Sequence, residues 1–420
     1  MPSNPPGPVP GPKLNLHTTV EDFAVRGDEL VISGRTLTDI VGLAGRTPAY
    51  IYSRELIDRR IRRLRSLLPE ALHLHYAMKA NPMPAVVQHI SPQVDGLDVA
   101  SAGELRVAMA AGADPERVSF AGPGKTKDDL TTAVAAGVMV NVESETELAR
   151  LVAIGASRGV LPRVAIRVNP DFELKASGMK MAGGPKQFGI DAELVPDLLR
   201  RMASMKIDFW GFHVYSGSQN LRAEAIIEAQ SKTVALVTAL SRDAPRPPRF
   251  VNIGGGFGIP YFPGEQPLDL APVAAHLQGL VETAARDLPG ATLVVELGRY
   301  LVGEAGVYVS RIVDRKVSRG RVFLVTDGGL HQHLAASGNF GQVLRKNYPV
   351  LIGNRVAGSS RELATVVGPL CTPLDLLADN LEMARAEIGD LVVVFQSGAY
   401  GLTASPVSFL SHPPPAELLL

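Results

Sequence analysis

The feature that most restricts the fold is a regular alternation that begins near Thr47. Short apolar runs (HLHYAM, GLDVA, RVSFAG, MVNVES, RVAIRVN, FWGFHVYSG, RFVNIGGG and TLVVELG) are separated by helix-patterned stretches such as AGELRVAMAAGA, KDDLTTAVAAGV and ETELARLVAIGAS. Each of these three stretches reaches a glycine near its end, where a helix can stop on a left-handed residue. Alternation of strand and helix builds parallel βα units, because a parallel connection needs a crossover long enough to hold a helix. The eight runs are spaced by roughly 20 to 45 residues within about 250, which predicts a (β/α)8 barrel. A doubly wound open sheet is the alternative that the alternation alone leaves standing.

The flanks differ in texture. Beyond Val307, VYVSRIVDRKV, RVFLVTDGG, LATVVGPL and DLVVVFQSGAY read as strands joined by turns, which predicts a second, β-rich, sandwich-like domain. DELVISGRTLTDI, ahead of the barrel, reads as a strand and turn. It is expected to join that domain, since chain ends often lie close together. MPSNPPGPVPGPK is rich in Pro and Gly and lacks the apolar core of a signal peptide, so it reads as a disordered tail. The expected division is a tail over 1–13, an N-terminal strand segment joining the β domain over 14–46, the barrel over 47–305 and the β-rich domain over 306–420.

Lys+Arg and Asp+Glu are both 42, so no net field draws the chain to nucleic acid or to an anionic membrane surface. No run of about 18 apolar residues predicts a membrane span. The single cysteine, Cys371, excludes an intramolecular disulfide and fits a reducing, cytoplasmic setting. His331 and His333 in HQH lack a third ligand at a recognised spacing, and no metal is expected.

Several residues stand where barrels do chemistry. Lys79, in HYAMKANP, follows the first barrel run, and active sites of such barrels lie at the C-terminal ends of strands. Desolvation there is expected to lower its pKa and free the amine as a nucleophile, whereas a solvated surface lysine would do nothing. NIGGGFGIPY holds Gly254, Gly255, Gly256 and Gly258 after a strand, either as a backbone cradle for a phosphate or as a plain tight turn. Its spacing is not that of a dinucleotide fingerprint. VVELGRY carries Glu296, Gly298 and Arg299 at another strand end. An acid there can hold a pyridinium nitrogen protonated and an arginine can pair with phosphate; the bland reading is a structural salt bridge. His213, Tyr215 and Ser218 in GFHVYSGSQ can supply a ring that stacks on a planar cofactor and a hydroxyl for its phosphate. Cys371 in GPLCTPLD and Tyr400 in SGAYG lie on glycine- and proline-flanked turns, where a thiol can donate a proton and a phenol can bind phosphate, or both can simply pack.

Taken together, these motifs resemble the fold-type III pyridoxal-phosphate decarboxylases, the group of ornithine, arginine and diaminopimelate decarboxylases, from about Asp28 to the C-terminus. YAMKAN resembles the motif of the lysine that carries the cofactor as a Schiff base, which maps to Lys79. GLDVASAGEL resembles the next strand and implies that Asp98 lies near the cofactor. IGGGFGIPY resembles the phosphate loop, with Gly254 to Gly256. ELGR resembles the family's E-P-G-R with Leu297 in place of proline, so that Glu296 faces the pyridine nitrogen and Arg299 the phosphate. GPLCTPLD resembles the loop that brings the catalytic cysteine, here Cys371, from the partner subunit, and GAYG makes Tyr400 a cofactor contact. The resemblance implies an alanine-racemase-like barrel with a β-sandwich-like domain, an obligate head-to-tail homodimer with shared active sites, and amino-acid decarboxylation with pyridoxal 5'-phosphate. A racemase and a non-enzymatic pyridoxal-binding protein share the architecture. The first would need a second base, which is not identifiable here; the second is usually a bare barrel.

The departures concern the substrate. Thr372 stands where diaminopimelate enzymes have a glutamate and ornithine enzymes an aspartate. Ala335 and Asn339 replace an arginine and a tyrosine of the diaminopimelate group. SGMKMAGGPKQFGI, HQHLAASGNFGQVLRKNYP and SFLSHPPP resemble a narrower subgroup: decarboxylases found with exosortase systems, and the butirosin-pathway enzyme acting on a glutamyl group tethered to an acyl-carrier protein. That likeness implies an amino acid or aminoacyl substrate without a free charged far end, with Arg345 and Lys346 meeting an acidic carrier protein. Alignment on Gly217 and Ser218 sets Tyr215 where the family's stacking histidine stands, with His213 two residues earlier on the same strand face, so either ring can stack.

Overall fold

A computed structural model describes residues 22–172, 179, 180, 183–342 and 344–420. The expected tail over 1–13, and parts of SGMKMAGGPKQFGI, lie outside the described residues. The eight apolar runs are eight strands: β1 His73–Ala77, β2 Gly96–Val99, β3 Val118–Phe120, β4 Met139–Val142, β5 Arg163–Asn169, β6 Asp208–His213, β7 Phe250–Gly255 and β8 Thr292–Leu297. Each pairs in parallel with its neighbour, and β8 pairs with β1, so the sheet closes as a barrel and the open-sheet alternative falls. The strands read as continuous apolar runs because one face packs the barrel interior and the other the helices. The helices begin where the sequence offers a hydroxyl cap. Ser101 and Ser144 accept from the third following N–H, and Thr126 and Asp129 form a reciprocal capping box. Glu145–Arg158 runs through Gly155 and stops at Gly159 in the left-handed conformation.

The C-terminal part is a separate β-rich sheet in the order β11-β14-β9-β10-β12-β13. Its strands are β9 Gly306–Ser318, β10 Arg321–Thr326, β11 Val350–Ile352, β12 Arg361–Val367, β13 Leu376–Ala384 and β14 Leu391–Val394. The boundary expected at residue 47 falls before a strand of this sheet. Ala49–Tyr52 pairs antiparallel with β9 and parallel with β15 Ala416–Leu419, because its alternate side chains complete the β-domain core. The segment before it forms its own three-stranded sheet, Ala24–Arg26, Glu29–Ile32 and Arg35–Thr36. LTDI is not a turn: Thr36 caps a helix over Leu37–Ala44. This segment shares an apolar core with Val307, Val309, Val393 and Phe395, and Leu30 N donates to Gly353 O at 2.8 Å. No helix among the described residues is long and apolar enough to cross a membrane.

Within the β-rich part, Tyr50, Tyr308 and Tyr348 surround the His333 ring at centroid distances of 5.7, 5.5 and 5.8 Å, and the barrel's Tyr261 packs on Tyr348 at 4.9 Å. Ser397 Oγ lies 2.8 Å from His333 Nε2. Burial pushes the His333 pKa from 6.5 down to about 3. Between those values the unfolded chain binds a proton that the folded chain refuses, so stability falls as pH drops through that window. His333→Gln, which keeps a donor for Ser397, should reduce this acid loss by up to ~1.4 kcal/mol per pH unit. Urea midpoints at pH 7, 5 and 4 measure it, and an unchanged slope would contradict the assignment.

Candidate active site

The site is built at the C-terminal ends of the barrel strands, where closure brings distant sequence together. β1 ends in a short turn, Met78–Ala80, whose flanking side chains are buried while that of Lys79 keeps 43% exposure at the mouth. On the adjacent β8, Glu296 is 6% exposed and its Oε1 lies 3.8 Å from Lys79 Nζ. From β6, His213 Nε2 stands 3.1 Å from Glu296 Oε2. From β7, Asn252 Nδ2 donates to the same oxygen at 3.2 Å. Burial would raise the Glu296 pKa, but His213, Lys79 and Arg167 outweigh it and hold the carboxyl well below its ordinary range. Burial would lower the Lys79 pKa, as expected from sequence, yet the outcome is the reverse. The Glu296 carboxylate, with Tyr400 and Tyr215, prevails and the free ammonium titrates above an ordinary lysine.

The glycine run after β7 is a cradle with no space for side chains. Gly254 and Gly256 both have φ +72°. A Cβ on Gly255 would lie 1.9 Å from Glu296 O, and one on Gly256 2.2 Å from Gly217 O. The backbone from Val214 to Ser218 runs against this turn, and Ser218 Cα is 3.7 Å from the Gly256 Cβ position. Asn252 joins the cradle to the carboxylate, because its Oδ1 accepts from Gly254 N at 2.8 Å. Beside it, Arg299 Nη1 donates to Tyr261 Oη at 2.5 Å, and its guanidinium lies 4.6 Å over the Tyr400 ring. Arg299 has no carboxylate partner among the described residues. Tyr400 N donates to Ala80 O at 2.8 Å, which holds this ring next to the Lys79 turn.

The Tyr215 ring lies 5.4 Å from Lys79 Nζ, so both His213 and Tyr215 face the cluster, His213 toward the carboxylate and Tyr215 toward the lysine. Neither nitrogen of the buried His213 has an aligned hydrogen-bond partner among the described residues. Asp98 sits one strand from Ala77 and belongs to another chain of contacts. Its Oδ1 is 3.2 Å from His75 Nδ1 and accepts from Ser119 Oγ, while its Oδ2 has no partner among the described residues. Cys371 is exposed and makes none of the cluster's hydrogen bonds or ion pairs. Its turn is held by the buried Asp375, which accepts from Leu330 N at 2.6 Å and Leu370 N at 2.8 Å.

Sequence reading missed four members. Asn252 and Tyr261 flank the glycine run, one on each side. Arg167, at the end of β5, bonds Glu143 Oε1 at 2.8 Å, and Glu143 also accepts from Gly122 N at 2.6 Å and Gly189 N at 3.1 Å. A charged residue in an otherwise apolar strand (RVAIRVN) and an acid directly after another (MVNVES) were the available signals. Among the described residues no group of three or more His, Cys, Asp or Glu could hold a metal ion.

These features fit one kind of ligand. An ionised buried carboxylate, an amine, an uncompensated guanidinium and a side-chain-free backbone turn suit a molecule with a basic ring nitrogen, a carbonyl carbon and a phosphate. A family model, "Pyridoxal-dependent decarboxylase, pyridoxal binding domain", matches residues 54–303. The chain belongs to the pyridoxal-dependent decarboxylases. It is 40% identical over 380 residues, 89% of this chain and 88% of the relative, to the L-glutamyl-[BtrI acyl-carrier protein] decarboxylase of Niallia circulans. It is 33% identical over 398 residues to the diaminopimelate decarboxylase of Aquifex aeolicus, covering 94% of this chain and 91% of that one. Among solved structures, AQ1208 from Aquifex aeolicus superposes with a TM-score of 0.82 at 30% identity, covering 96% and 93%. Helicobacter pylori diaminopimelate decarboxylase complexed with L-lysine gives 0.80 at 25%, covering 91% and 94%. The decarboxylase uses pyridoxal phosphate and releases carbon dioxide and an amine.

Gly256→Ala must either strain a positive φ or push Gly217 away. The decarboxylase variant should keep its far-ultraviolet spectrum and lose at least about tenfold in cofactor affinity. Titration of visible absorbance checks this, and wild-type affinity would contradict a cradle role.

Proposed function

We propose that this decarboxylase acts on an α-amino acid whose far end is joined to a carrier rather than free, with an L-glutamyl group on an acyl-carrier protein as the first candidate. The observation that carries the substrate reading is the uncharged character of three positions, Thr372, Ala335 and Asn339, which the motif resemblance aligns with charged or phenolic groups of the diaminopimelate and ornithine enzymes. Support comes from the relative 40% identical to this chain, whose name gives a carrier-bound glutamyl substrate. Arg345 and Lys346 do not act together in this reading. The Lys346 ammonium lies 5.3 Å over the Phe262 ring at a cavity of about 420 Å³, open to an acidic carrier, while Arg345 turns inward.

Pyridoxal phosphate, when bound, supplies the electron sink for the pair left on Cα as the carboxylate departs. Lys79 would hold its carbonyl carbon, and Glu296 would keep a proton on its ring nitrogen. Gly254 to Gly256, Ser218, Gly298 and Arg299 would take the phosphate, with Tyr400 alongside. His213 and Tyr215 would wall the ring, and Asp98 would set the polarity of the barrel floor beneath it. Cys371 of the partner subunit would return a proton to Cα. The homodimer this requires is favoured by the exposure of Cys371, of Phe340, 42% accessible against the Tyr400 ring, and of Leu374, 58% accessible and bonded through its carbonyl to Asn339.

Borohydride treatment of the yellow holoenzyme should label Lys79 in the peptide map; label on another lysine would contradict the role given to it. Cys371→Ala should retain the cofactor and lose about 100-fold or more in turnover. Unchanged kinetics would remove the thiol from the reaction. Carbon dioxide release measured on carrier-tethered L-glutamyl, free L-glutamate and free diaminopimelate should favour the tethered substrate. Faster release from a free amino acid would overturn the substrate reading.

A further inference from the structure

Arg345 is a cation that the mechanism above leaves unused. The segment that carries it borders the mouth, since the Phe340 ring lies 6.4 Å from the Tyr400 ring and Tyr400 N donates to Ala80 O beside Lys79. The same segment is tied to the Cys371 turn: Asn339 Nδ2 donates to Leu374 O at 3.4 Å, and Arg345 Nη2 to Leu376 O at 3.0 Å. Arg345 Nε donates to Ser337 O at 3.2 Å and its Nη1 to Asn347 Oδ1 at 2.9 Å. All three acceptors are neutral. No carboxylate pairs with this half-buried guanidinium among the described residues, and Asp379, whose field reaches it, is bonded to Arg321.

A guanidinium has five N–H donors. Three are used, so two remain. Gly338 makes the pose possible, with φ +83° and a Cβ position 3.0 Å from Arg345 Cγ. A half-buried cation with no carboxylate bonded to it among the described residues loses solvation that a ligand oxygen would restore.

We propose that Arg345 is a specificity-determining residue whose free N–H groups bind an oxygen at the far end of the substrate, either the acyl carbonyl of the carrier linkage or a free distal carboxylate. The inference rests on the proposed decarboxylation of an amino acid extended at its far end. It gives the missing charged contacts at Ala335 and Asn339 a replacement ten and six residues further along the same segment. Because the guanidinium is fixed by three neutral acceptors, it presents its remaining donors without first breaking an ion pair. That suits a carbonyl as well as a carboxylate.

The test compares kcat and KM of the wild-type holoenzyme, Arg345→Gln and Arg345→Lys on carrier-tethered L-glutamyl, free L-glutamate and L-norvaline, which lacks the distal oxygen. Arg345→Gln should raise KM by about tenfold or more on the oxygen-bearing substrates. Its loss on L-norvaline should be at least about fivefold smaller, and Arg345→Lys should recover part of the difference. A uniform loss on all three, or one confined to kcat, overturns the proposal and leaves Arg345 as a brace for Ser337, Asn347 and Leu376. If Arg345→Gln does not fold, the same ratio read on Arg345→Lys decides. If only free amino acids turn over, the carrier reading fails, and the ratio between L-glutamate and L-norvaline still decides Arg345. A substrate with no distal oxygen would overturn it.

Discussion

The pairing of β1 with β8 is the contact on which the site depends. Lys79 and Glu296 are remote in the chain and meet only because the last parallel strand returns to the first, with Glu296 opposite His75 and Leu297 opposite Tyr76. That register fixes the 3.8 Å approach of ammonium to carboxylate. It also sets Gly298 so close to β1 that a Cβ there would lie 2.8 Å from Ala77 O. A shift of one residue in this pairing would turn Glu296 out of the barrel, since strand side chains alternate.

Closure leaves charges in a nearly dry interior, and they persist there only in pairs. Glu296 is surrounded by Lys79, His213 and Asn252. Arg167, which also lowers its pKa, is itself held by Glu143, and Lys125 meets Glu147 at 2.7 Å with both side chains 1% exposed. The result is a graded row of charges around the barrel mouth in which the one carboxylate facing the lysine stays ionised. Arg299 and Arg345 stand apart because neither has an acidic partner among the described residues. The proposed roles give these two guanidiniums the two ends of the reacting pair, a cofactor phosphate for Arg299 and the far end of an amino acid for Arg345.

The barrel was legible because eight strands buried on both faces leave eight apolar runs, and the helices between them carry their own caps. The strand Ala49–Tyr52 was not, since AYIY reads the same whether it pairs with the barrel or with β9; only tertiary pairing decides. The helix over Leu37–Ala44 was hidden by a turn-like SGRT that in fact holds its cap, Thr36. At the site, Lys79, Glu296, Arg299 and the glycines were visible as charged or flexible residues at strand ends. The Lys79 titration was not, because its direction is set by a carboxylate on the last barrel strand, more than 200 residues away in the chain. Asn252 and Tyr261 gave no signal of their own: an amide and a phenol gain meaning only from the Glu296 and Arg299 they touch.

The proposed reaction breaks the Cα–carboxylate bond of a far-end-linked amino acid and returns one proton to Cα. Mass spectrometry of carrier-bound L-glutamyl after turnover by the holoenzyme in heavy water tests it most directly. The expected product lacks the elements of carbon dioxide and carries one solvent deuteron at Cα. Substrate that keeps its carboxylate while acquiring deuterium at Cα would mark inversion rather than decarboxylation, and would contradict the proposed reaction.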